Sequence, residues 1–170
     1  MMQLPSFPAF DSSTPEHLIL SSSKIKRAHV VVDLENLCGN SQNVSRLSAQ
    51  AYKALNNLVS LNGAQVVVAV GVSAWKQSPN IGFTWPHARL LVGRGIDGAD
   101  LRLVEDLLDE PQAKRSSHVV IASGDGRFSD PARQLRESGV HVTVVANAFT
   151  LSRRLRDNAD QVLYFPPLAA

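Results

Sequence analysis

Only one cysteine, Cys38, occurs in the chain of 170 residues. That excludes an internal disulfide and any cysteine-built zinc cluster, and it suits a reducing compartment, which places the protein in the cytoplasm. No histidine lies near Cys38 in sequence, so the thiol reads as structural rather than nucleophilic. Long hydrophobic runs are missing too. No stretch approaches the ~18 apolar residues of a membrane span, and residues 1–23 lack the basic start and continuous apolar core of a secretion signal. An excess of either charge is also lacking, since 17 Lys and Arg against 15 Asp and Glu leave a net charge of +2. Electrostatics must therefore be argued from clusters, namely Lys24-Lys26-Arg27, Lys114-Arg115, Arg133-Arg136 and Arg153-Arg154-Arg156. These are either solvated surface charges or contacts for a nucleic-acid backbone. The sequence has neither the Walker-type phosphate loop nor the Gly-x-Gly-x-x-Gly dinucleotide fingerprint.

What the chain does contain is a repeated pattern of short β-branched runs and amphipathic stretches. Residues 1–23, with Pro5, Pro8, Pro15 and several serines, have no sustained period and read as a flexible extension. A single domain is expected over 24–170, large enough to bury its own core. The spacing predicts strands at Ala28–Asp33, Gln65–Gly71, Arg89–Val92, His118–Ala122, Val140–Ala146 and Gln161–Phe165. Helices are predicted at Ser45–Leu61, Ala99–Leu108, Pro131–Ser138 and Leu151–Asn158. Alternation of this kind implies βαβ units and a mainly parallel sheet. The stretch Val72–His87 has no clear period. Its Trp75 and Trp85 either cover the sheet or line a groove where an unpaired base could stack.

Two strands end abruptly in acids. His29-Val30-Val31-Val32 runs into Asp33-Leu34-Glu35-Asn36, and His118 to Ala122 runs into Ser123-Gly124-Asp125-Gly126-Arg127-Phe128-Ser129-Asp130. In an open α/β sheet the carboxyl edge is where ligands bind, and right-handed crossovers bring distant strand tips to that edge. Asp97 and Asp100 join the same edge. Carboxylates converging there need a cation, and hard oxygen donors suit Mg²⁺ or Mn²⁺. Each acid also has a local explanation. Asp97 with Asp100, and Asp130 before Pro131, match helix N-caps and first-turn acids. Asn36 orients Asp33, contacts a phosphate, or stabilises a turn. Ser123 could bond a phosphate, and Arg127 suits a phosphate or a developing charge better than a metal. His29, His87, His118 and His141 share no metal-ligand spacing.

Taken together, Val31-Val32-Asp33-Leu34-Glu35-Asn36-Leu37, Gly95-Ile96-Asp97-Gly98-Ala99-Asp100-Leu101, Ser123-Gly124-Asp125-Gly126-Arg127-Phe128-Ser129-Asp130 and Leu151-Ser152-Arg153-Arg154-Leu155 resemble the NYN family of PIN-like domains. The resemblance spans about residues 29–165 in the family's motif order. It implies a three-layer α/β/α Rossmann-like fold whose acidic pocket holds Mg²⁺ or Mn²⁺ and, in active members, hydrolyses phosphodiester bonds in RNA. It also implies a metal-binding and catalytic set of Asp33, Asp100 (or Asp97), Asp125 and Asp130 with Asn36 as companion. Substrate contacts are then expected from Asn36, Ser123, Arg94, Arg127, Arg153 and Arg154. Many relatives carry a further aspartate two positions after the Ser-Gly-Asp aspartate, where this chain has Arg127. Two readings follow: a metal-dependent ribonuclease, or a non-catalytic RNA-binding or protein-docking module with a degraded site. RNA is the expected partner, and a second copy or a protein partner stays open.

Overall fold

The computed structural model describes residues 28–78, 80–109 and 116–169. The expected extension 1–23 and the basic groups Lys24, Lys26, Arg27, Lys114 and Arg115 lie outside the described residues. Among the described residues, six strands form one sheet: β1 (His29–Asp33), β2 (Gln65–Gly71), β3 (Arg89–Gly93), β4 (His118–Ala122), β5 (His141–Ala146) and β6 (Gln161–Tyr164). Seven helices accompany them among the same residues: α1 (Leu34–Cys38), α2 (Val44–Leu58), α3 (Val72–Gln77), α4 (Ile81–Thr84), α5 (Gly98–Asp109), α6 (Ser129–Glu137) and α7 (Arg153–Asp157). Short 3-10 turns occupy Ser41–Asn43 and Gly126–Phe128. No helix among the described residues is long and apolar enough to cross a membrane.

All strand pairings are parallel, in the order β3-β2-β1-β4-β5-β6. A parallel sheet covered on both faces needs strands that are apolar on both sides, and the valine-rich β1, β2 and β4 supply that. Alternate residues then feed two cores. Val30, Val32, Val68 and Val120 pack under Leu47, Ala51 and Leu55 of α2, together with Leu34, Ala74 and Trp85. Val31, Val67, Val119 and Ile121 pack under Leu103 and Leu107 of α5, with Phe128, Leu135 and Leu155. Helices α1 to α4 therefore cover one face and α5 to α7 the other, which is the three-layer α/β/α arrangement expected. The crossover to the second face depends on Gly93. A Cβ there would lie 2.0 Å from the Gly98 carbonyl carbon and 2.1 Å from the Ala99 nitrogen. Only glycine lets α5 start against the tip of β3 and run back beneath β3, β2 and β1.

Predicted strand positions match to within a residue or so at the ends, and the helices differ more. The predicted helix to Leu61 stops at Leu58, because Val59 turns extended and the Asn56 side chain accepts a hydrogen bond from the Leu61 amide (3.1 Å). The predicted helix from Leu151 begins at Arg153, its first two residues being used in a loop contact described below. The stretch Val72–His87 resolves into α3 and α4. Trp85 is 1% exposed, edge-on to Tyr52 at 5.3 Å, with its indole nitrogen donating to Ser48 Oγ. It is core, and the half-buried Trp75 packs on the same cluster.

The amino edge of the sheet holds buried polar pairs. His118 shares a 2.8 Å hydrogen bond with Thr143 Oγ1 and stands edge-on to His141. Burial first, and then the neighbouring His141, lowers its pKa from 6.5 to about 4. The unfolded chain thus binds a proton between pH 4 and 6.5 that the folded chain refuses, so this contribution to stability is complete above pH 6.5 and is lost as pH falls towards 4. Denaturation curves across that window are expected to show His118→Gln, which does not titrate, gaining stability relative to the wild type as pH falls from 6.5 to 4. Parallel profiles for the two proteins would refute the assignment.

Candidate active site

The strand order reverses between β1 and β4, so the crevice of this sheet opens at their carboxyl ends, where ligands of open α/β sheets bind. Asp33 ends β1 there and is 4% exposed. Its Oδ1 accepts the Asn36 amide (3.1 Å), capping α1, and its Oδ2 accepts the Ser123 hydroxyl (3.0 Å) from the tip of β4. Asn36 completes the bridge, its Oδ1 accepting the Gly124 amide at 2.9 Å. Ser123 Oγ in turn accepts the Asp125 amide (3.1 Å), and Asp125 Oδ1 accepts the Arg127 amide (2.9 Å). The two strand tips are therefore fastened by side chains, and Asp33 and Asp125 are each a local cap as well as a candidate ligand.

Asp100, in the first turn of α5, lies within hydrogen-bonding reach of Asp33. Burial, then the charge of Asp100, raises the Asp33 pKa from 3.8 to about 7. Asp100 is raised too, by burial first and then by the charge of Asp125. The pair behaves as one coupled acid that holds a proton where ordinary carboxyls have lost theirs. Asp97, one residue before α5 and at φ 60°, turns its carboxylate to Arg127 instead (2.7 Å), and the same guanidinium reaches Asp100 at 3.4 Å. Asp130 stands apart from this knot. It occupies the first turn of α6, its side chain 66% exposed and paired with Arg133 at 3.8 Å.

The remaining expected residues occupy the rim. Arg94 is exposed in the loop after β3, and Arg153 and Arg154 are exposed at the start of α7. Glu35 faces away from the acids, accepting the Gly71 amide at 2.9 Å and tying α1 to the tip of β2. Cys38 is buried, its thiol pushed up to about 12 by burial and then by the charges of Asp33 and Glu35, so it stays protonated. One contact had no counterpart in the sequence reading. The loop after β5 is pressed onto the Ser123-Gly124-Asp125 turn, with Ser152 donating its amide to the Gly124 carbonyl (2.8 Å). A Cβ on Gly124 would meet the Thr150 carbonyl oxygen at 2.8 Å. The sequence cue was the glycine itself, which the turn alone also explained.

Among the described residues, no three side chains of Asp, Glu, His or Cys form a ready-made metal cage. The donors nevertheless fit Mg²⁺ or Mn²⁺. Mg²⁺ is commonly held by one or two carboxylates while keeping several waters. Asp33 and Asp100 are two hard oxygen donors, and a cation there would offset the burial and the neighbouring negative charge that raise both pKa values. Arg127 supplies part of that positive charge from the Asp97 side.

The sequence matches the profile of the NYN domain over residues 21–166. No curated protein shows significant similarity. Among solved structures, a crystal structure of a protein of unknown function from Vibrio parahaemolyticus shares the fold, with a TM-score of 0.59 at 17% identity over 86% of this chain and 97% of that one. With the whole described sheet inside the profile match, and the acids at the tips of β1 and β4 falling in that span, the chain belongs to the NYN domain family.

Proposed function

We propose that the domain is a divalent-metal-dependent ribonuclease acting at the β1/β4 crevice. The observation that carries this reading is Asp33, a buried carboxyl held at the tip of β1 where the strand order reverses, with Asp100 near enough for its charge to raise the Asp33 pKa. Membership of the NYN family, whose PIN-like members use divalent ions on RNA, supports it. Asp33, Asp100 and Asp125 would hold Mg²⁺ or Mn²⁺, with Asp97 and Asp130 as outlying acids. A bound divalent ion supplies Lewis-acid stabilisation of charge on the scissile phosphate and eases ionisation of the attacking water.

The chain's own groups do the rest. Ser123 and Asn36 hold Asp33 and the Gly124 backbone in fixed register, so no ordering cost falls on the reacting geometry. Arg127 presents a fixed positive charge beside the acids. Arg94, Arg153 and Arg154, exposed on the rim, would contact RNA phosphates, and such contacts weaken as salt rises. Incubating the protein with end-labelled single-stranded RNA is expected to give cleavage in Mn²⁺ and none in EDTA. No cleavage in Mn²⁺, or equal cleavage in EDTA, would overturn the proposal.

The second reading, a non-catalytic RNA-binding module, draws on one observation: the Arg127 guanidinium already neutralises Asp97 and part of Asp100. RNA bound with the same affinity in Mn²⁺ and in EDTA, and never cut, would favour it.

A further inference from the structure

We propose that Phe149 is a stacking platform for an unpaired base on the rim of the crevice; this rests on the RNA reading above. Phe149 is 94% exposed. Exposed apolar side chains are common singly, so exposure alone carries little. What distinguishes this one is how firmly its backbone is held. Asn147 begins the loop by accepting the Phe149 amide on Oδ1 (2.9 Å) and the Thr150 and Leu151 amides on its carbonyl (3.2 and 3.0 Å). Leu151 is buried, and Ser152 bonds the Gly124 carbonyl. The Thr150 carbonyl lies against Gly124 so closely that no Cβ fits there. The ring is thus displayed in water by a short loop fastened at both ends, one residue from direct contact with the Ser123-Gly124-Asp125 turn.

The surroundings match a single strand. Arg153 and Arg154, both exposed, open α7 two residues after Leu151. Aromatic and basic groups beside one another are how unpaired strands are held, because every base offers a π-face and every nucleotide a phosphate. A-form duplex hides its base faces in the stack and offers Phe149 nothing to cover. The other exposed phenylalanine among the described residues, Phe83, stands on α4, which packs against α2. Trp85, which the sequence left as a possible stacking residue, is buried.

The test is fluorescence anisotropy with a fluorescein-labelled uridine 12-mer and a blunt RNA duplex, with Ca²⁺ in place of Mn²⁺ and gels to verify an intact strand. Phe149→Ala is expected to weaken single-strand binding by about 5- to 150-fold, the loss of one stacked base. Phe149→Trp should keep it, and duplex binding should stay within about twofold of wild type in both variants. Thermal melts check that the variants fold. Unchanged single-strand affinity in Phe149→Ala, or an equal loss for the duplex, would overturn the stacking role and leave the ribonuclease reading standing. Failure of the wild type to bind either RNA would bring down both.

Discussion

Asp33→Asn is expected to lower RNA cleavage in Mn²⁺ by two orders of magnitude or more, and at the same time to raise the melting temperature of the metal-free protein at pH 8. The first effect follows from chemistry, since a Lewis acid contributes several kcal/mol at the transition state and each ~1.4 kcal/mol is a tenfold change in rate. The second follows from burial. The Asp33 carboxyl has a pKa of about 7 in the folded protein against 3.8 as the ordinary value. Between those limits the folded state holds a proton that the unfolded state has released, so this group's contribution to stability is highest below pH 4 and declines as pH rises towards 7. At pH 8 the native protein carries the full cost of an ionised, buried carboxylate beside Asp100.

Asparagine is neutral and nearly isosteric. Its Oδ1 can still accept the Asn36 amide, and its amide can donate to Ser123 Oγ. The difference in melting temperature between variant and wild type is therefore expected to grow from pH 5 to pH 8. Mn²⁺ should raise the melting temperature of the wild type and not that of the variant, because only the wild type gains a ligand that binds the folded state. Retained cleavage together with superimposable pH profiles would contradict both the catalytic role and the electrostatic account.

The second large effect lies at the opposite edge of the sheet. Asp106, on α5 and almost fully buried, pairs with His29 Nε2 at 2.6 Å and with the Arg89 guanidinium. One carboxylate thereby ties α5 to β1 and β3 together. Asp106→Ala takes the partner from the buried His29 ring and the counter-charge from Arg89, whose side chain is 44% exposed, and breaking a buried pair such as the first costs about 3–5 kcal/mol. A domain's whole stability is only about 5–15 kcal/mol, so the melting temperature should fall on the order of 10 °C or more. Urea titration is the direct measurement. A change under about 1 kcal/mol would show that the cluster is not a structural tie. Asp106→Asn, which keeps an acceptor for His29, should recover part of the loss. Asp100 sits on the same helix, so loosening this tie also frees one of the two facing acids.

Much of this was legible in the chain. Valine runs such as Val30-Val31-Val32 and Val66-Val67-Val68 are apolar on both faces, a pattern only a covered parallel sheet uses, and the strands followed from them. The acids at Asp33 and Asp125 stood out because nothing in a buried strand needs a carboxylate at its end. The short helices did not stand out. α1, α3 and α4 have five, six and four residues, too few for a helical period to show. They exist because tertiary packing of Leu34, Ala74 and Ile81 holds them.

Local composition thus determined the strands and the longer helices, their parallel pairing and the edge at which chemistry would gather, because periodicity and strand ends are properties of neighbours in sequence. Which acids meet was decided only in three dimensions. The return of α5 beneath β3, β2 and β1 delivers Asp100 to Asp33, while Asp130, equally acidic and closer in sequence to Asp125, points to solvent beside Arg133. Arg127 folding onto Asp97, Glu35 turning to Gly71 and Trp85 sinking into the core were settled in the same way. Each depends on distances across the fold, and a linear pattern carries no record of those.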